Sequence, residues 1–375
     1  MSATPRIAAL RAFVYRCPIE TPVTTSFGVM FDRPMVVVEV EDEEGAIGWG
    51  EIWCNFPAIG AEHRARMVER VLAPLTVGQE GVPEAVFAHL SARTAVLAIQ
   101  SGEPGPIAQA IAGVDIALWD LRARRAGQPL WRLLGGGDPR LPVYASGINP
   151  DQAVETALAQ RQAGFTAFKL KVGFGQARDL DNLRDLRAAL GESAKLMVDA
   201  NQGWSLEEAA RMLPHLAGFG LGWVEEPLRA DRPWAEWRHL AGLAGIPLAA
   251  GENLLGQESF AAALACRALR VMQPDIAKWG GFSGCLPVAR AALAAGLIYC
   301  PHWLGGGLGL LASAHLLAAV GGEGMLEIDS NPNPLREMSC GPLGRITQGH
   351  ATLSEAPGLG IVPDLAALGA YRVAH

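Results

Sequence analysis

Residues 166–171 read TAFKLK, a short apolar run that ends in two lysines. Seven further runs of similar length lie beyond residue 141, one before this run and six after it. They are separated by stretches rich in alanine and leucine. The eight runs lie at 142–146, 166–171, 195–199, 221–225, 247–251, 269–273, 297–301 and 324–328. Short apolar strands that alternate with helices predict a parallel sheet, and eight near-equal units favour closure into a (β/α)8 TIM barrel. An open doubly wound sheet is the competing fold, but the chain has no Rossmann glycine fingerprint.

The stretches between these strands are mostly amphipathic, which predicts helices. They include 151–163, 179–190, 206–216, 257–265, 283–295 and 308–320.

The first third of the chain has a different order of predicted elements, because its strand and helix patterns do not alternate. Strands are predicted at 6–16 and 34–41, with a hairpin return at 45–50, and helical spacing follows at 58–73, 82–98 and 106–126. We therefore predict an α+β domain over residues 1–135 and a modified barrel over 136–349. Residues 350–375 are expected to fold back onto the first domain.

The composition excludes several classes of protein. Of the 375 residues, 50% are hydrophobic, the net charge is −7, and no basic run suggests a nucleic-acid partner. The six cysteines form no CxxC pair, which is typical of reduced thiols. No signal peptide or membrane span is apparent, so we expect a cytoplasmic protein without a membrane partner.

Ionisable residues stand at the ends of the predicted barrel strands, where (β/α)8 enzymes carry their chemistry. They recur every 23 to 30 residues, about one βα unit apart. The set is Lys169, Lys171, Asp199, Glu225, Glu252, Asp275, His302 and Glu327. A single acid after a strand would be an ordinary helix cap. A full set around the barrel is better explained by a catalytic site.

Asp199, Glu225 and Glu252 come from three successive strands and should converge on one sector of the barrel mouth. Convergent carboxylates repel each other unless a cation lies between them. Hard oxygen ligands favour Mg²⁺ with open positions for substrate oxygens. Neither an HExxH motif nor a cysteine cluster suggests zinc.

Lys169 and Lys171 are two apart on one strand, so both side chains should point into the barrel mouth. They could be ion-pair partners that balance the acids. Two adjacent ammonium groups beside a metal also lower each other's pKa, which would let one act as a neutral base.

Asp275 and His302 end adjacent strands, so the carboxylate should hydrogen-bond the imidazole and fix its tautomer. His302 would lie nearly opposite Lys171, and the two could approach both faces of one carbon. Glu327, on the last strand, is expected to act as an acid toward the substrate carboxylate if burial keeps it protonated.

These residues, in this order, resemble the mandelate racemase subgroup of the enolase superfamily, within the mandelate racemase/muconate lactonizing enzyme family. The matching motifs are KLK (169–171), VDANQGW (198–204), VEEP (224–227), GEN (251–253), PDIAKWGG (274–281), PHW (301–303) and LEID (326–329). Two supporting matches are residues 113–136 and the tail segment PGLGIVPD (357–364).

The resemblance implies a capping N-terminal domain, Mg²⁺ held by Asp199, Glu225 and Glu252, and Lys171 and the His302–Asp275 pair as bases. It also implies that Lys169, Asn201 and Glu327 contact the substrate carboxylate or the enolate. Further candidates for substrate binding are Ser146, Phe27 and Trp53. Lys278 is ambiguous, because some branches of the family use a lysine after the sixth strand as a base.

The resemblance implies removal of the proton next to a carboxylate, which gives a metal-stabilised enolate. The favoured outcome is dehydration of a sugar acid or related hydroxy acid to a 2-keto acid. The alternatives are racemisation or epimerisation of a 2-hydroxy acid, and a non-catalytic binding relative. Specificity is expected in the capping loops at 22–33 and 53–57, and the family suggests a homo-oligomer. The glycine-rich run at 305–309 is expected to be a tight loop rather than a phosphate site.

Overall fold

The N-terminal domain is built on an antiparallel sheet whose central strand is buried on both faces. The computed structural model describes residues 4–25 and 28–375. The sheet has the order β13-β1-β2-β3. Its strands are β1 (Ile7–Thr25), β2 (Gly28–Asp42), β3 (Ile47–Ile52) and, from the C-terminal tail, β13 (Arg372–Val373).

Alternation along β2 divides its side chains between two hydrophobic cores. Val36, Val38 and Val40 pack with the helices of their own domain, whereas Met35 and Val37 pack with the barrel core. This one strand therefore ties the domain to the barrel.

Helices cover one face of the sheet, and their bounds match the predicted helical stretches within a few residues. They are α1 (Gly60–Met67), α2 (Ala73–Thr76), α3 (Pro83–Ser101), α4 (Pro104–Arg125) and α5 (Leu130–Leu133), with a π-helical turn at Val68–Leu72. The long helix α4 is buried around most of its circumference, because it packs between the sheet and the barrel.

The second domain contains eight parallel strands in the order β10-β9-β8-β7-β6-β5-β4-β11. Their bounds are β4 (Arg140–Ile148), β5 (Ala167–Lys171), β6 (Lys195–Asp199), β7 (Leu221–Glu225), β8 (Leu248–Ala250), β9 (Val271–Met272), β10 (Ile298–Tyr299) and β11 (Leu326–Asp329). The two ends of this order meet where the backbone N–H of Met325 donates to Cys300 Sγ at 3.3 Å. The domain is a TIM barrel with an α+β capping domain, as the sequence predicts.

The barrel helices alternate with these strands. They are α6 (Ala153–Gln162), α7 (Gln176–Leu190), α8 (Leu206–Leu216), α9 (Trp234–Ala244), α10 (Gln257–Cys266), α11 (Gly281–Ala294), α12 (Gly307–Val320) and α13 (Pro334–Ser339). Helices α9 and α13 were not among the predicted stretches, and the six predicted barrel helices are confirmed.

Two features of the capping domain differ from the sequence-based expectation. Residues 22–25 and 28–33 of the predicted loop are strand, because β1 and β2 extend and pair with each other, with Val23 opposite Met30. The tail begins on the barrel, where β12 (His350–Thr352) pairs with β4, and ends on the capping sheet. The division at residues 135 and 349 stays a prediction.

All six cysteines are buried and free of disulfides. Within residues 4–25 and 28–375, no helix is long and apolar enough to cross a membrane.

Candidate active site

Lys169 lies at the centre of the charged groups in the barrel mouth and is fully buried. Its Nζ lies 2.6 Å from Glu225 Oε1, 2.8 Å from Glu327 Oε1 and 3.9 Å from Asp199 Oδ2. Burial lowers the pKa of Lys169, but the carboxylates of Glu225 and Glu327 outweigh burial and raise it well above its ordinary value. Lys169 is therefore a fixed cation.

Lys171 points to the same side of β5, as the two-residue spacing predicts. Its Nζ donates to Asp199 Oδ2 at 2.6 Å and to Asn201 Oδ1 at 2.5 Å. Burial lowers the pKa of Lys171, Asp199 raises it and Lys169 lowers it, and the net shift is upward. The lowered pKa expected for two adjacent lysines is thus overridden by Asp199.

Glu225 is held by two side chains that the sequence reasoning missed. Trp223 Nε1 and Gln273 Nε2 both donate to Glu225 Oε2, at 3.1 and 2.6 Å. The available signal was strand periodicity, since Trp223 lies two residues before Glu225 and Gln273 two residues before Asp275.

Glu252 follows β8 and lies between two basic side chains. His302 Nε2 contacts Glu252 Oε2, and Lys278 Nζ lies 3.6 Å from Oε1. Burial raises the pKa of Glu252, but His302 and Lys278 lower it well below its ordinary value. Lys278 is therefore part of the rim of the site.

The predicted hydrogen bond within the His302–Asp275 pair is present, with 2.7 Å between His302 Nδ1 and Asp275 Oδ2. The other carboxylate oxygen of Asp275 accepts from the backbone N–H of Ala277 and Lys278. Burial lowers the pKa of His302, but Glu252 and Glu327 raise it, and the result is about 10.

The condition for Glu327 to act as an acid, that burial keeps it protonated, is not met in the structure without bound metal. Burial raises the pKa of Glu327, but Lys169 and His302 outweigh burial and lower it to about 2. Glu327 also accepts from Ser146 Oγ and, at 3.2 Å, from the backbone N–H of Trp303. It is an ionised acceptor, and Ser146, a predicted substrate-binding residue, is one of its donors.

The loops after β6 and β7 carry strained backbone beside the carboxylates. Asn201, Gln202 and Glu226 have φ of 44°, 62° and 37°, in the left-handed region that costs non-glycine residues energy. The backbone N–H of Asn201 donates to Asp199 Oδ1 at 2.7 Å, and Asn253 Nδ2 donates to both carboxylate oxygens of Glu226. These bonds hold the sharp turns in place.

The predicted metal ligands are brought to one region but engaged by cations of the chain itself. Asp199 pairs with Lys171, Glu225 with Lys169, and Glu252 with His302. Within the described part of the chain, no three His, Cys, Asp or Glu side chains are arranged to hold a metal ion.

The donor set nevertheless suits a hard divalent cation. Burial raises the pKa of Glu225 to about 7; Lys169 opposes this, and Asp199, Glu327 and Glu252 add to the rise. The carboxylates are thus close enough to repel one another, and a divalent cation would relieve that repulsion.

Two contacts of the capping domain lie beside the charged groups of the site. The Lys278 Nζ lies 4.6 Å from the centre of the Trp53 ring, and the buried Trp53 Nε1 has no hydrogen-bond partner among the described residues. Arg33 on β2 forms a buried ion pair with Asp329, two residues beyond Glu327 on β11. Phe27, a predicted substrate-binding residue, lies outside the described residues.

Two family models match the chain. The mandelate racemase/muconate lactonizing enzyme N-terminal domain matches residues 9–135, and the enolase C-terminal domain-like model matches residues 152–367.

Curated relatives include two cycloisomerases and a dehydratase. The chain is 32% identical to D-galactarolactone cycloisomerase of Agrobacterium fabrum and 33% identical to 3,6-anhydro-alpha-L-galactonate cycloisomerase of Streptomyces coelicolor; each match covers 98% of this chain and 99% of the relative. Arabinonate dehydratase of Saccharolobus solfataricus is 29% identical, over 88% of each chain.

Solved structures show the same fold over the whole chain. A mandelate racemase/muconate lactonizing enzyme from Bordetella bronchiseptica superposes with a TM-score of 0.94 at 59% identity, over 98% of this chain and 100% of that chain. A racemase from Streptomyces coelicolor with bound magnesium gives a TM-score of 0.88 at 33% identity, with the same coverage. The chain belongs to the mandelate racemase/muconate lactonizing enzyme family of the enolase superfamily.

Proposed function

We propose that this protein removes the proton next to the carboxylate of a sugar acid or related hydroxy acid and then eliminates water to give a 2-keto acid. The observation that supports the proposal best is the His302–Asp275 hydrogen bond on the side of the site away from Lys171. Between Lys171 on β5 and His302 after β10 lie four strands one way around the barrel and two strands the other way. Two bases so separated can approach opposite faces of one carbon.

Lys171 and His302 are the proposed bases, and whichever of them removes the α-proton needs a neutral nitrogen when substrate binds. The charges of Asp199 and Glu252 now hold protons on these two side chains. A divalent cation would share those carboxylates, so the pKa of both bases would fall toward neutral.

Asp199, Glu225 and Glu252 are the residues that would hold Mg²⁺. When bound, Mg²⁺ supplies Lewis-acid stabilisation of the negative charge that develops on the substrate carboxylate.

Lys169 supplies a second, permanent positive charge in the same place. Because Glu225, Glu327 and the ring of Tyr144 surround it, its ammonium group is oriented before substrate arrives. A preorganised cation stabilises the doubly charged enolate more than the singly charged substrate carboxylate, which lowers the barrier to proton removal. Asn201 and Trp53 are proposed to contact the substrate, Asn201 beside Lys171 and Trp53 through its unpaired indole N–H.

Elimination of a β-oxygen is the proposed fate of the enolate, with His302 donating the proton to the leaving group. If the leaving oxygen is a hydroxyl, water departs; if it belongs to a ring of the same substrate, the product is an isomer. The second outcome is a specific alternative, because two full-length relatives are cycloisomerases. Reprotonation on the opposite face would instead give a racemase or epimerase.

The test is a library of sugar acids and hydroxy acids incubated with the protein and Mg²⁺ in deuterated water. We expect one acid to exchange its α-hydrogen and to yield a product lighter by one water. An isomer of unchanged mass, apart from deuterium taken up from the solvent, would indicate ring opening. Loss of optical rotation without a new compound would indicate racemisation.

The metal must be shown to bind before a negative result has meaning. Mg²⁺ that binds the folded chain raises the unfolding midpoint. The matched variant Asp199→Asn should lose most of that rise. If the midpoint rises in the wild-type protein and no acid exchanges or reacts, the enzymatic proposal fails and a non-catalytic role replaces it.

A further inference from the structure

Two helices that follow the loops of the His302–Asp275 pair lack side-chain caps of their own. Helix α12 begins after Gly306 and helix α11 after Gly280, and neither glycine has a side chain that could accept a hydrogen bond from the first turn. The first N–H groups of a helix need acceptors when they are buried.

Glu51 of the capping domain supplies acceptors for two N–H groups at the start of α12, and Ser339 Oγ accepts from the N–H of Gly307 between them at 3.0 Å. Glu51 lies on β3 and is 1% exposed, and its carboxylate accepts from the backbone N–H of Gly306 at 2.5 Å and of Gly309 at 2.8 Å. A Cβ atom at Gly306 would lie 2.6 Å from Glu51 Oε1, so glycine is required for this approach.

The segment held by Glu51 is the one that carries His302. Trp303 follows directly, and its indole Nε1 donates to the carbonyl oxygen of Gly306 at 2.9 Å. The backbone N–H of Trp303 donates to Glu327. The loop from His302 to Gly306 therefore links the imidazole to the backbone N–H that Glu51 holds.

Asp115 of the capping domain does the same for α11. It lies on α4, is 1% exposed, and accepts from the backbone N–H of Ser283 at 3.0 Å. A Cβ at Gly281 would overlap the Asp115 carboxylate. The loop that precedes α11 carries Asp275 and Lys278. The hydrogen bond from Ser283 to Asp115 therefore fixes the helix that follows Asp275, the second member of the pair.

Helix α8 provides the contrast within the same barrel. It follows β6, the strand of Asp199, and is capped by Ser205 in a reciprocal bond with Glu208 of its own first turn. The first turn of the helix after Asp199 is therefore capped by its own residues and not by a side chain of the capping domain.

We propose that Glu51 and Asp115 are positioning residues for the His302–Asp275 pair. Each carboxylate of the capping domain holds the first turn of the helix behind one half of the pair, so docking of that domain sets where the imidazole lies. The inference rests on the proposed function in treating His302 as a base. The geometric effect on His302 can be measured without any substrate.

The experiment uses the full-length protein with histidine labelled at the ring carbon Cε1, at one fixed pH and one Mg²⁺ concentration. His302→Asn assigns the His302 signal among the eight histidines. In Glu51→Gln and Asp115→Asn, we expect the His302 signal to move by more than its line width or to broaden. The remaining histidine signals should stay in place, and Ser205→Ala, which removes a cap elsewhere, should leave His302 unchanged.

Exchange kinetics give a second readout once the library has provided a substrate. Displacement of a reacting group by about 1 Å costs about 10²-fold in rate. Exchange from the face of His302 should therefore fall by up to that factor, while exchange from the face of Lys171 should keep its rate and KM.

Because Glu51 and Asp115 act on different helices, either folded variant suffices for the test. An unchanged His302 signal in a folded variant overturns the role of that residue, and an equal change in Ser205→Ala overturns the specific connection. If the acid library shows no activity, the proposed function fails, and the histidine spectra still decide this inference.

Discussion

At the scale of single residues, Lys169 decides the charge balance of the barrel mouth. It is the shared partner of Glu225 and Glu327, and it is fully buried. Replacing it by Met keeps most of the volume but leaves both carboxylates without their cation. Removal of one partner of a buried ion pair typically destabilises a protein by about 3–5 kcal/mol.

We therefore expect Lys169→Met to lower the free energy of unfolding by about 3–5 kcal/mol in urea titrations without added metal. Lys195→Met is the control, because Lys195 is exposed at the other end of the neighbouring strand β6. A surface change of this kind should stay within about 0.5 kcal/mol of the wild type. Equal effects of the two substitutions would show that burial of Lys169 does not matter.

A second residue-scale prediction concerns the two proposed bases. For a substrate available as both α-epimers, Lys171→Ala should abolish exchange of one epimer and His302→Asn exchange of the other. Each loss should be about 10²–10⁴-fold, the usual contribution of a general base. Rates of hydrogen–deuterium exchange, followed by proton NMR for each epimer, measure this. Loss of both epimers in both variants would mean that the two side chains act on the same face.

The charge states of single residues were the hardest feature to predict from the sequence. The strand positions of Lys171 and Glu327 follow from spacing alone. The direction of their pKa shifts depends on Asp199, Lys169 and His302, each about one or more βα units away. Burial alone pointed in the wrong direction for Glu327, since nearby cations outweighed it.

At the scale of elements, the pattern of the barrel was visible because each strand is a short apolar run between helices. All eight predicted strands are present, although β9 and β10 are only two residues long. Helices α9 and α13 were missed. The capping hairpin was also misjudged, because β1 and β2 extend by pairing with each other, a long-range choice that local composition does not encode.

Glycines in two helices allow an element-scale prediction with a built-in control. Gly309 in α12 has no room for a Cβ atom, which would overlap the Trp303 indole, whereas Gly242 in α9 has nothing within 4 Å. Both positions are helical, so alanine offers the same gain in helix propensity at each. Only at Gly309 would the added methyl group force a neighbour, the Trp303 indole beside His302, to move.

We expect Gly242→Ala to stabilise the protein by about 0.5–1 kcal/mol and Gly309→Ala to destabilise it by roughly 1–3 kcal/mol. Thermal or urea unfolding of the two variants beside the wild type measures the difference. A stabilising Gly309→Ala would mean that the Trp303 ring can shift freely and that the loop after β10 is loosely held.

At the scale of the whole molecule, the two domains share buried carboxylates that the sequence did not reveal. Glu51 and Asp115 lie in the first domain, yet their hydrogen-bond donors are more than 160 residues further along the chain. A motif search within one domain cannot find such a pair. The glycines at 281 and 306 were the only local sign, since each stands where another chain segment approaches closely.

The shared carboxylates also make stability depend on pH in a way that one substitution can isolate. Burial raises the pKa of Glu51 to about 7, against an ordinary value of 4.5; the N–H groups of Gly309, Gly306 and Leu308 oppose the rise and Asp275 adds to it. The thiol of Cys54 is the other titratable group that interacts with this carboxylate. Below pH 4.5 both the folded and the unfolded chain hold this proton. As the pH rises from 4.5 to 7, the unfolded chain loses it first, so Glu51 costs the folded protein stability.

Glu51→Gln has no such proton to lose. The free energy of unfolding of the wild type, minus that of Glu51→Gln, should therefore fall by roughly 3 kcal/mol between pH 4.5 and 7.5. Urea titrations of both proteins at several pH values measure this difference. Glu208→Gln is the control of opposite sign, because backbone and side-chain bonds from Ser205 lower the pKa of the exposed Glu208. A difference for Glu51 that is flat or rises with pH would mean that its carboxylate ionises normally, and that α12 is held by a full negative charge throughout this range.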